Sequence, residues 1–594
     1  MLKSRLLMKL AVILAVVPIS GVLANQELLY LQQDAAQWAM SSKTYNGWRY
    51  SPLNQINTGN VRNLRVAWTF ALGIQDDGVE GEPLVVGNTM YIVSPWPHQV
   101  YALDLTQDGT IKWMYEPKLD EKYKAVTCCG LMERGWSYAD GKLIFNTVDG
   151  QTIALDARTG KEVWKTQVGE LAKQEAMTAP PLIVGNNVIV GMAGGEFGNR
   201  GWVTALDLKT GQRKWRAYST GPNEEMLIGP RFKPFYDQDK VPNPGVSTWF
   251  GDSWQRGTAT TWGYMTYDPE LNLFYYGTSN GGPWNPKYRR DPNDPSPTKW
   301  SNKYVASVLA RDATTGELVW AFQFTPQEMW DYDEIAENIL VDLRIGGQVR
   351  KALVHVGRNG FFYVLDRTTG ELLSATPYTH VNWATGYDLK TGFPLYNPDK
   401  IHKGTGVVIQ DICPNLIGGK NFQPASYSPR TGLFYFTATN LCMDQEPLDV
   451  EYKPGERYVG MRNVHKPSPA GDHRSELIAW DPINQRRAFT IKEPFNNRSG
   501  TMVTAGDLVF YGTVDGWFKA LNARTGEVLW QFRTGAGTFA NPMTYLGPDG
   551  KQYVALLVGA KGQGNRPVDQ DDVFNGLIGK YSRRGNVLFV FSLP

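Results

Sequence analysis

The sequence predicts an all-β protein, an eight-bladed β-propeller, and three observations carry that expectation. The first is composition: among 594 residues there are 61 Gly, 20 Trp and 29 Tyr, a mix that favours turn-rich sheet over helical bundles. The second is a recurring motif of strand, Asp-x-x-Thr-Gly turn and strand. The third is a Trp that returns at the same point after the turn.

The motif is clearest at Ala154-Leu155-Asp156-Ala157-Arg158-Thr159-Gly160, which leads to Trp164, and from Ala205 to Gly211, which leads to Trp215. It returns from Ala310 to Trp320 and from Ala520 to Trp530, with weaker copies from Ala102 to Trp113, Val364 to Ser374 and Ala479 to Phe489. Each copy reads as a hairpin with its own turn chemistry. Trp113, Trp164 and Trp215 stand 51 residues apart, which suits one four-stranded blade per repeat. The repeated Trp is expected to dock against the neighbouring blade. Seven motifs plus Trp68, which ends a unit whose start is missing, make eight blades. Two segments rich in Pro, Gly and Asn, Thr220 to Arg256 and Tyr378 to Lys420, interrupt the rhythm. Insertions of this kind sit on one face and shape a pocket, so residues 25–594 form one domain.

At the N-terminus, Lys3, Arg5 and Lys9 precede an apolar run from Leu10 to Leu23, and Val22-Leu23-Ala24 ends in a small residue. This pattern predicts a secretory signal peptide, residues 1–24, and export to the periplasm, where disulfides persist. Lys and Arg total 60 against 58 Asp and Glu, so the net charge of +2 leaves no nucleic-acid footprint. No internal apolar run is long enough to cross a bilayer.

Four Cys and no Cys-x-x-Cys-His exclude a covalently attached haem. Cys413 and Cys442 have the look of a conventional bridge closing a loop. Cys128 and Cys129 are adjacent: they either pair elsewhere or close a small strained ring, because neighbouring Cα atoms lie only about 3.8 Å apart. In Trp330-Asp331-Tyr332-Asp333, two acids stand two residues apart and would share a face of an extended segment. Two like charges so placed repel unless a cation lies between them or one takes up a proton. Oxygen donors suit a large, highly charged cation better than zinc.

Thr127-Cys128-Cys129 with Arg134 five residues beyond, the Trp-anchored repeats and the Asp331-Tyr332-Asp333 stretch together resemble the pyrroloquinoline quinone (PQQ) alcohol dehydrogenases. The resemblance runs from Tyr50-Ser51-Pro52-Leu53-Asn54-Gln55-Ile56-Asn57 to Tyr553-Val554-Ala555. It implies a periplasmic eight-bladed propeller with PQQ and a metal at its centre. It sets Glu80 near the quinone edge, a Cys128–Cys129 ring on one face of the cofactor and Trp262 on the other. Arg134, Thr178, Gly194, Gly195, Thr260 and Asn421 fall at positions that hold its carboxylates and oxygens, and Arg358 near its reactive carbonyls. Glu196 and Asn280 match metal ligands. Asp331 matches the catalytic base, which also faces the metal.

Asp333 matches the extra carboxylate of lanthanide-dependent members, and Gly194-Gly195-Glu196-Phe197-Gly198 resembles lanthanide-type methanol dehydrogenases. Calcium, with Asp333 behind the ligands, is the alternative. The implied reaction is oxidation of a primary alcohol such as methanol or ethanol to the aldehyde, with electrons passing to a separate c-type cytochrome. Oligomeric state is open, a homodimer included. Two residues depart from the family pattern: Ala193 stands for a Ser, and Arg498 for a Trp that edges the quinone. A non-catalytic envelope scaffold is the rival from another class; it has no need of Arg134 or of the ligand set.

Overall fold

The computed structural model describes residues 24–73, 77–122, 130–294, 296–560 and 578–594. Cys128, Cys129 and all of the expected signal peptide except Ala24 lie outside the described residues. The fold is all-β, a β-propeller built mainly of sheets made from four consecutive antiparallel strands. One such sheet contains Ser137–Ala139, Lys142–Asn146, Gln151–Asp156 and Glu162–Gln167. Its third strand is buried almost throughout, whereas the fourth alternates towards solvent, so apolar side chains are packed between sheets and the last strand faces outward. Among the described residues there are seven four-stranded sheets and one of five, in which Tyr50–Ser51 is added parallel to Thr501–Thr504.

The repeat motif is explained by its turn. Asp156 Oδ1 accepts hydrogen bonds from Arg158 N at 3.1 Å, Thr159 N at 2.8 Å and Thr159 Oγ1 at 2.8 Å. Gly160 donates its N–H to Asp156 O at 2.8 Å with φ +70, a conformation that costs glycine nothing. The expected docking of the Trp is observed. Trp113 Nε1 donates to Ala157 O at 3.2 Å, Trp164 to Leu208 O at 3.0 Å, Trp215 to Thr314 O at 3.1 Å and Trp320 to Arg367 O at 3.2 Å. Each indole thus caps the turn of the following sheet. A Cβ on Gly160 would lie 2.5 Å from the Trp113 ring, which is the second reason for Gly there.

Trp68 belongs to a sheet made from both ends of the chain. Arg65–Ala71 pairs with Val587–Ser592, which pairs in turn with Gln552–Val558. Trp530 Nε1 donates to Leu64 O at 3.2 Å and joins the preceding sheet to this one. The Tyr378–Lys420 insertion forms the small pair Ala384–Asp388 and Phe393–Tyr396 and the strand Ile409–Ile412. Cys413 and Cys442 are disulfide-bonded across a separation of 29 residues, as the sequence suggests.

Candidate active site

Trp330-Asp331-Tyr332-Asp333 is not a strand, which corrects the expectation of an extended segment. Asp331 has φ +70, and this left-handed turn brings the two carboxylates together. The turn is held by buried Glu328, whose Oε1 accepts from Trp330 N at 2.6 Å and Tyr332 N at 2.8 Å. The insertion buttresses it: Trp330 Nε1 donates to Lys400 O at 3.0 Å, and Tyr332 Oη to Pro414 O at 2.6 Å.

A cation does lie between the acids. Arg358 Nη2 donates to Asp331 Oδ2 at 3.1 Å and Nη1 to Asp333 Oδ2 at 2.8 Å. Its Nε is fixed on Leu416 O at 2.8 Å and its backbone N–H on Glu334 Oε2 at 2.9 Å. Asp331, Asp333 and Arg358 are 7%, 7% and 6% exposed, so the charges interact with little solvent screening. Burial pushes the Asp331 carboxyl well above the ordinary range; Arg358 opposes this, while Asp333, Glu328 and Glu196 add to it. Behind Arg358, burial raises Glu334 to about 8 and lowers His355 to about 3. Burial thus favours the neutral form of both partners in their 3.0 Å contact.

Asp333 is the hub. Its Oδ1 accepts from Asn280 N at 2.6 Å, and its Oδ2 also accepts from Trp262 Nε1 at 3.1 Å. Glu196 sits on the short turn Gly195–Phe197. The turn is entered through Gly194, φ +101, where a Cβ would lie 2.4 Å from Gln174 O. Burial raises the Glu196 carboxyl, with Asp333 adding to the shift and Arg358 opposing it. Asn280, Asp331 and Asp333 are thus linked through direct contacts, and Glu196 joins them through its field. Among the described residues, no group of three or more His, Cys, Asp or Glu side chains is gathered closely enough to hold a metal ion. Arg358 draws two of the acids onto itself instead.

Trp262 connects this group to a second one. The guanidinium of Arg134 stands 4.8 Å from the Trp262 ring and 4.8 Å from the Phe422 ring. Arg134 Nη1 donates to Thr178 Oγ1 at 2.6 Å. Its Nε lies 2.8 Å from Glu80 Oε2 as an ion pair, although the N–H is not aimed at that oxygen. Burial raises the Glu80 carboxyl, and Arg134 and then Arg498 oppose the rise. Thr260 Oγ1 is 2.9 Å from Ser279 Oγ, and a Cβ on Gly195 would lie 3.5 Å from Thr260 Oγ1. Asn421 precedes Phe422; its Nδ2 donates to Ile417 O at 3.0 Å. Glu328, Ser279 and Phe422 were missed in the sequence, where nothing but proximity to predicted residues marks them.

The family profile "Glucose/ethanol/alcohol dehydrogenase, beta-propeller domain", a PQQ family, matches residues 38–385 and 467–554. The chain belongs to the PQQ dehydrogenases. One relative is the "Lanthanide-dependent methanol dehydrogenase" of Methylacidiphilum fumariolicum (strain SolV), 46% identical over 96% of this chain and 94% of its own. Another is "Methanol dehydrogenase [cytochrome c] subunit 1" of Paracoccus denitrificans, 39% identical over 94% of this chain and 89% of its own. Among solved structures, a "Europium-containing methanol dehydrogenase" superposes with a TM-score of 0.91 at 46% identity, covering 96% of this chain and all of that one.

The residues present fit both groups that such a PQQ dehydrogenase uses. Arg134 Nε, Glu80 Oε2, Thr261 Oγ1 and Asn280 Nδ2 are buried without a hydrogen-bond partner among the described residues, polar atoms that a polar ligand can satisfy. Trp262 offers a flat aromatic wall beside them. Glu196, Asn280, Asp331 and Asp333 supply oxygen donors of the kind a large cation takes, although in this structure the acids are not gathered closely enough to enclose one while Arg358 holds two of them.

Proposed function

We propose that this PQQ dehydrogenase oxidises a short primary alcohol, of the methanol or ethanol class, to the aldehyde with a lanthanide ion beside the quinone. The observation that carries the reading is the Asp331–Arg358–Asp333 bridge, set beside Asn280 and the edge of Trp262. When bound, PQQ supplies a two-electron acceptor and the metal a Lewis acid. Glu196, Asn280, Asp331 and Asp333 would hold the metal. Trp262, Arg134, Thr178, Glu80, Gly194, Gly195, Thr260, Asn421 and the Cys128–Cys129 pair would hold the quinone.

The chain's own work is to position the alcohol and move its proton. Asp331 accepts the hydroxyl proton as general base at Oδ1, because Arg358 occupies Oδ2. Burial strengthens the carboxylate as a base, and Arg358 opposes the rise that burial causes. Arg358 also fixes the side chain's orientation through its anchors on Leu416 and Glu334. Trp330 and Tyr332, the chain neighbours of Asp331, are fully buried against the insertion, which keeps water from the turn that carries it.

Eight sheets of four or more strands among the described residues, with Trp-to-turn docking between successive ones, support reading residues 25–594 as one eight-bladed domain. The Cys413–Cys442 disulfide supports an oxidising compartment, hence a periplasmic protein made with a cleaved signal peptide. Electrons would pass to a soluble c-type cytochrome.

The test is dye-linked alcohol oxidation by apo-protein given PQQ with either a light lanthanide or calcium. The expected result is activity with the lanthanide and loss of turnover in Asp331→Asn despite retained quinone absorbance. Activity with calcium alone would demote Asp333 from metal ligand to supporting residue. Full turnover by Asp331→Asn would remove the base.

A further inference from the structure

One short stretch of the second insertion, residues 413–419, meets the active site through three backbone carbonyls. Pro414 O accepts from Tyr332 Oη at 2.6 Å and so holds the residue between Asp331 and Asp333. Leu416 O accepts from Arg358 Nε at 2.8 Å, and Ile417 O from Asn421 Nδ2 at 3.0 Å. The backbone of Arg358 is gripped as well: Gly419 N donates to Arg358 O at 2.9 Å. Gly418, φ +82, packs so closely that a Cβ would fall 2.2 Å from Arg358 Cγ.

Leu416 O decides how the guanidinium is aimed. Among the described residues its other bonds run to Asp331 and Asp333, one nitrogen to each acid. A planar fork that meets only those two side chains can swing with them, whereas a neutral backbone acceptor at Nε fixes its plane. A shift of about 1 Å at Leu416 would lose that bond, since such bonds extend to about 3.2 Å.

The three carbonyls belong to no ladder, so the stretch that carries them needs another hold. Ile412 is the last residue in register with the neighbouring strand, opposite Met443. Pro414 has no N–H to give. Among the described residues, two backbone bonds tie the stretch to residues 439–441: Asn415 N to Leu441 O at 2.9 Å and Thr439 N to Gly419 O at 2.6 Å. The Cys413–Cys442 disulfide stands where the register ends, with both cysteines buried. Cys413 also clamps Asn382: Cys413 N donates to Asn382 Oδ1 at 2.8 Å, and Asn382 N to Cys413 O at 3.0 Å. The next residue, Trp383, donates Nε1 to Asn359 O at 2.8 Å and sets its ring 5.2 Å from that of Trp330. Two routes to the catalytic turn thus start at one cysteine.

We propose that residues 413–419 are a positioning strap for Asp331 and Arg358, and that the Cys413–Cys442 disulfide keeps the strap in its working register. The proposal rests on the reading of Asp331 as the base. Two variants test it: Cys413→Ala with Cys442→Ala removes the bond, and Gly418→Ala keeps the bond but drives a Cβ against Arg358. Gly432→Ala is the control, since Gly432 has a similar φ of +70 and no atom within 4 Å of its Cβ position. Hydrogen exchange read by mass spectrometry on the metal-free protein is compared with steady-state kinetics of the loaded enzyme.

The expected result in both test variants is faster exchange in peptides covering 328–334 and 355–360, with wild-type exchange in the strands Gln151–Asp156 and Glu162–Gln167. The kcat should fall about 10- to 100-fold, the usual effect of losing a group that orients a catalytic side chain, with the KM for the alcohol little changed. Gly432→Ala should match wild type in both measurements. If the double Ala variant fails to fold, Gly418→Ala decides. Faster exchange confined to 411–417 and 441–443, or raised uniformly with kcat intact, would overturn the proposal and leave the disulfide as a brace of the fold. Full turnover by Asp331→Asn would remove the base, a separate outcome, and the exchange pattern would still judge whether the strap holds the turn.

Discussion

Asp333→Ala is the sharpest perturbation of the site, because one carboxylate there receives three buried donors: Asn280 N at 2.6 Å, Trp262 Nε1 at 3.1 Å and Arg358 Nη1 at 2.8 Å. A hydrogen bond to a charged group contributes about 1.5–3 kcal/mol, so the plain sum runs to about 4.5–9 kcal/mol. Two effects lower that figure: Arg358 keeps Asp331 as a partner, and water can enter the space left by the carboxylate. The expected cost is about 3–5 kcal/mol, the range for breaking a buried ion pair from one side. Asp333→Asn should fall between, since its amide can satisfy only one side of the hub.

Urea unfolding of the metal-free protein, followed by Trp fluorescence, measures this as a lower midpoint at constant slope. Lanthanum should raise the midpoint of wild type and leave that of Asp333→Ala nearly unmoved, because binding stabilises only a folded state that holds the ion. A metal-free Asp333→Ala protein within about 0.5 kcal/mol of wild type would refute the hub, since that is the range of an ordinary surface change.

Gly160→Ala, which drives a Cβ to 2.5 Å from the Trp113 ring, should cost about 1–3 kcal/mol more than Gly141→Ala. Gly141 shares the φ of +70 but has open space, so the difference in urea midpoint isolates the docking contact. Burial holds His98 and His402 neutral in the fold, each lowered to about 4, whereas the unfolded chain protonates near 6.5. Their contribution is complete above about pH 6.5 and is lost as pH falls towards 4, by about 3 kcal/mol each. His98→Gln should flatten the acid limb of a stability-versus-pH curve, and an unchanged limb would count against it. Removing the Cys413–Cys442 bridge as a double Ala variant should lower stability by about 3–4 kcal/mol, from the 29-residue loop it closes. A calorimetric scan of that variant against wild type measures the loss.

The repeats were legible because each property rests on local chemistry. Asp156 bonds residues two and three positions on, Gly160 needs its positive φ, and Trp113 must reach the next such turn. Repetition made those local needs visible as a period. The order of the closing sheet was only half legible: Trp68 showed that a unit was incomplete, but its partner strand lies at the other end of the chain, and no local signal reports that. At the site, residue types announced themselves while geometry did not. Asp331 and Asp333 suggested a shared face, yet a β alternation was the wrong route to it, since non-Gly φ is set by surrounding contacts such as Glu328. Arg358 was expected near a cofactor, and its role between the two acids depends on residues 25 and 27 positions apart meeting in space.

The seam between Arg65–Ala71 and Val587–Ser592 has a consequence for biosynthesis. Val587–Ser592 lies in the interior of its sheet, flanked by Arg65–Ala71, made far earlier, and by Gln552–Val558. Until Val587–Ser592 is made, Arg65–Ala71 has no strand to pair with, and the sheet on which Trp530 docks is incomplete. Val587–Ser592 therefore acts as a latch: without it the seam stays open, and with it a row of unpaired backbone groups on both neighbouring strands.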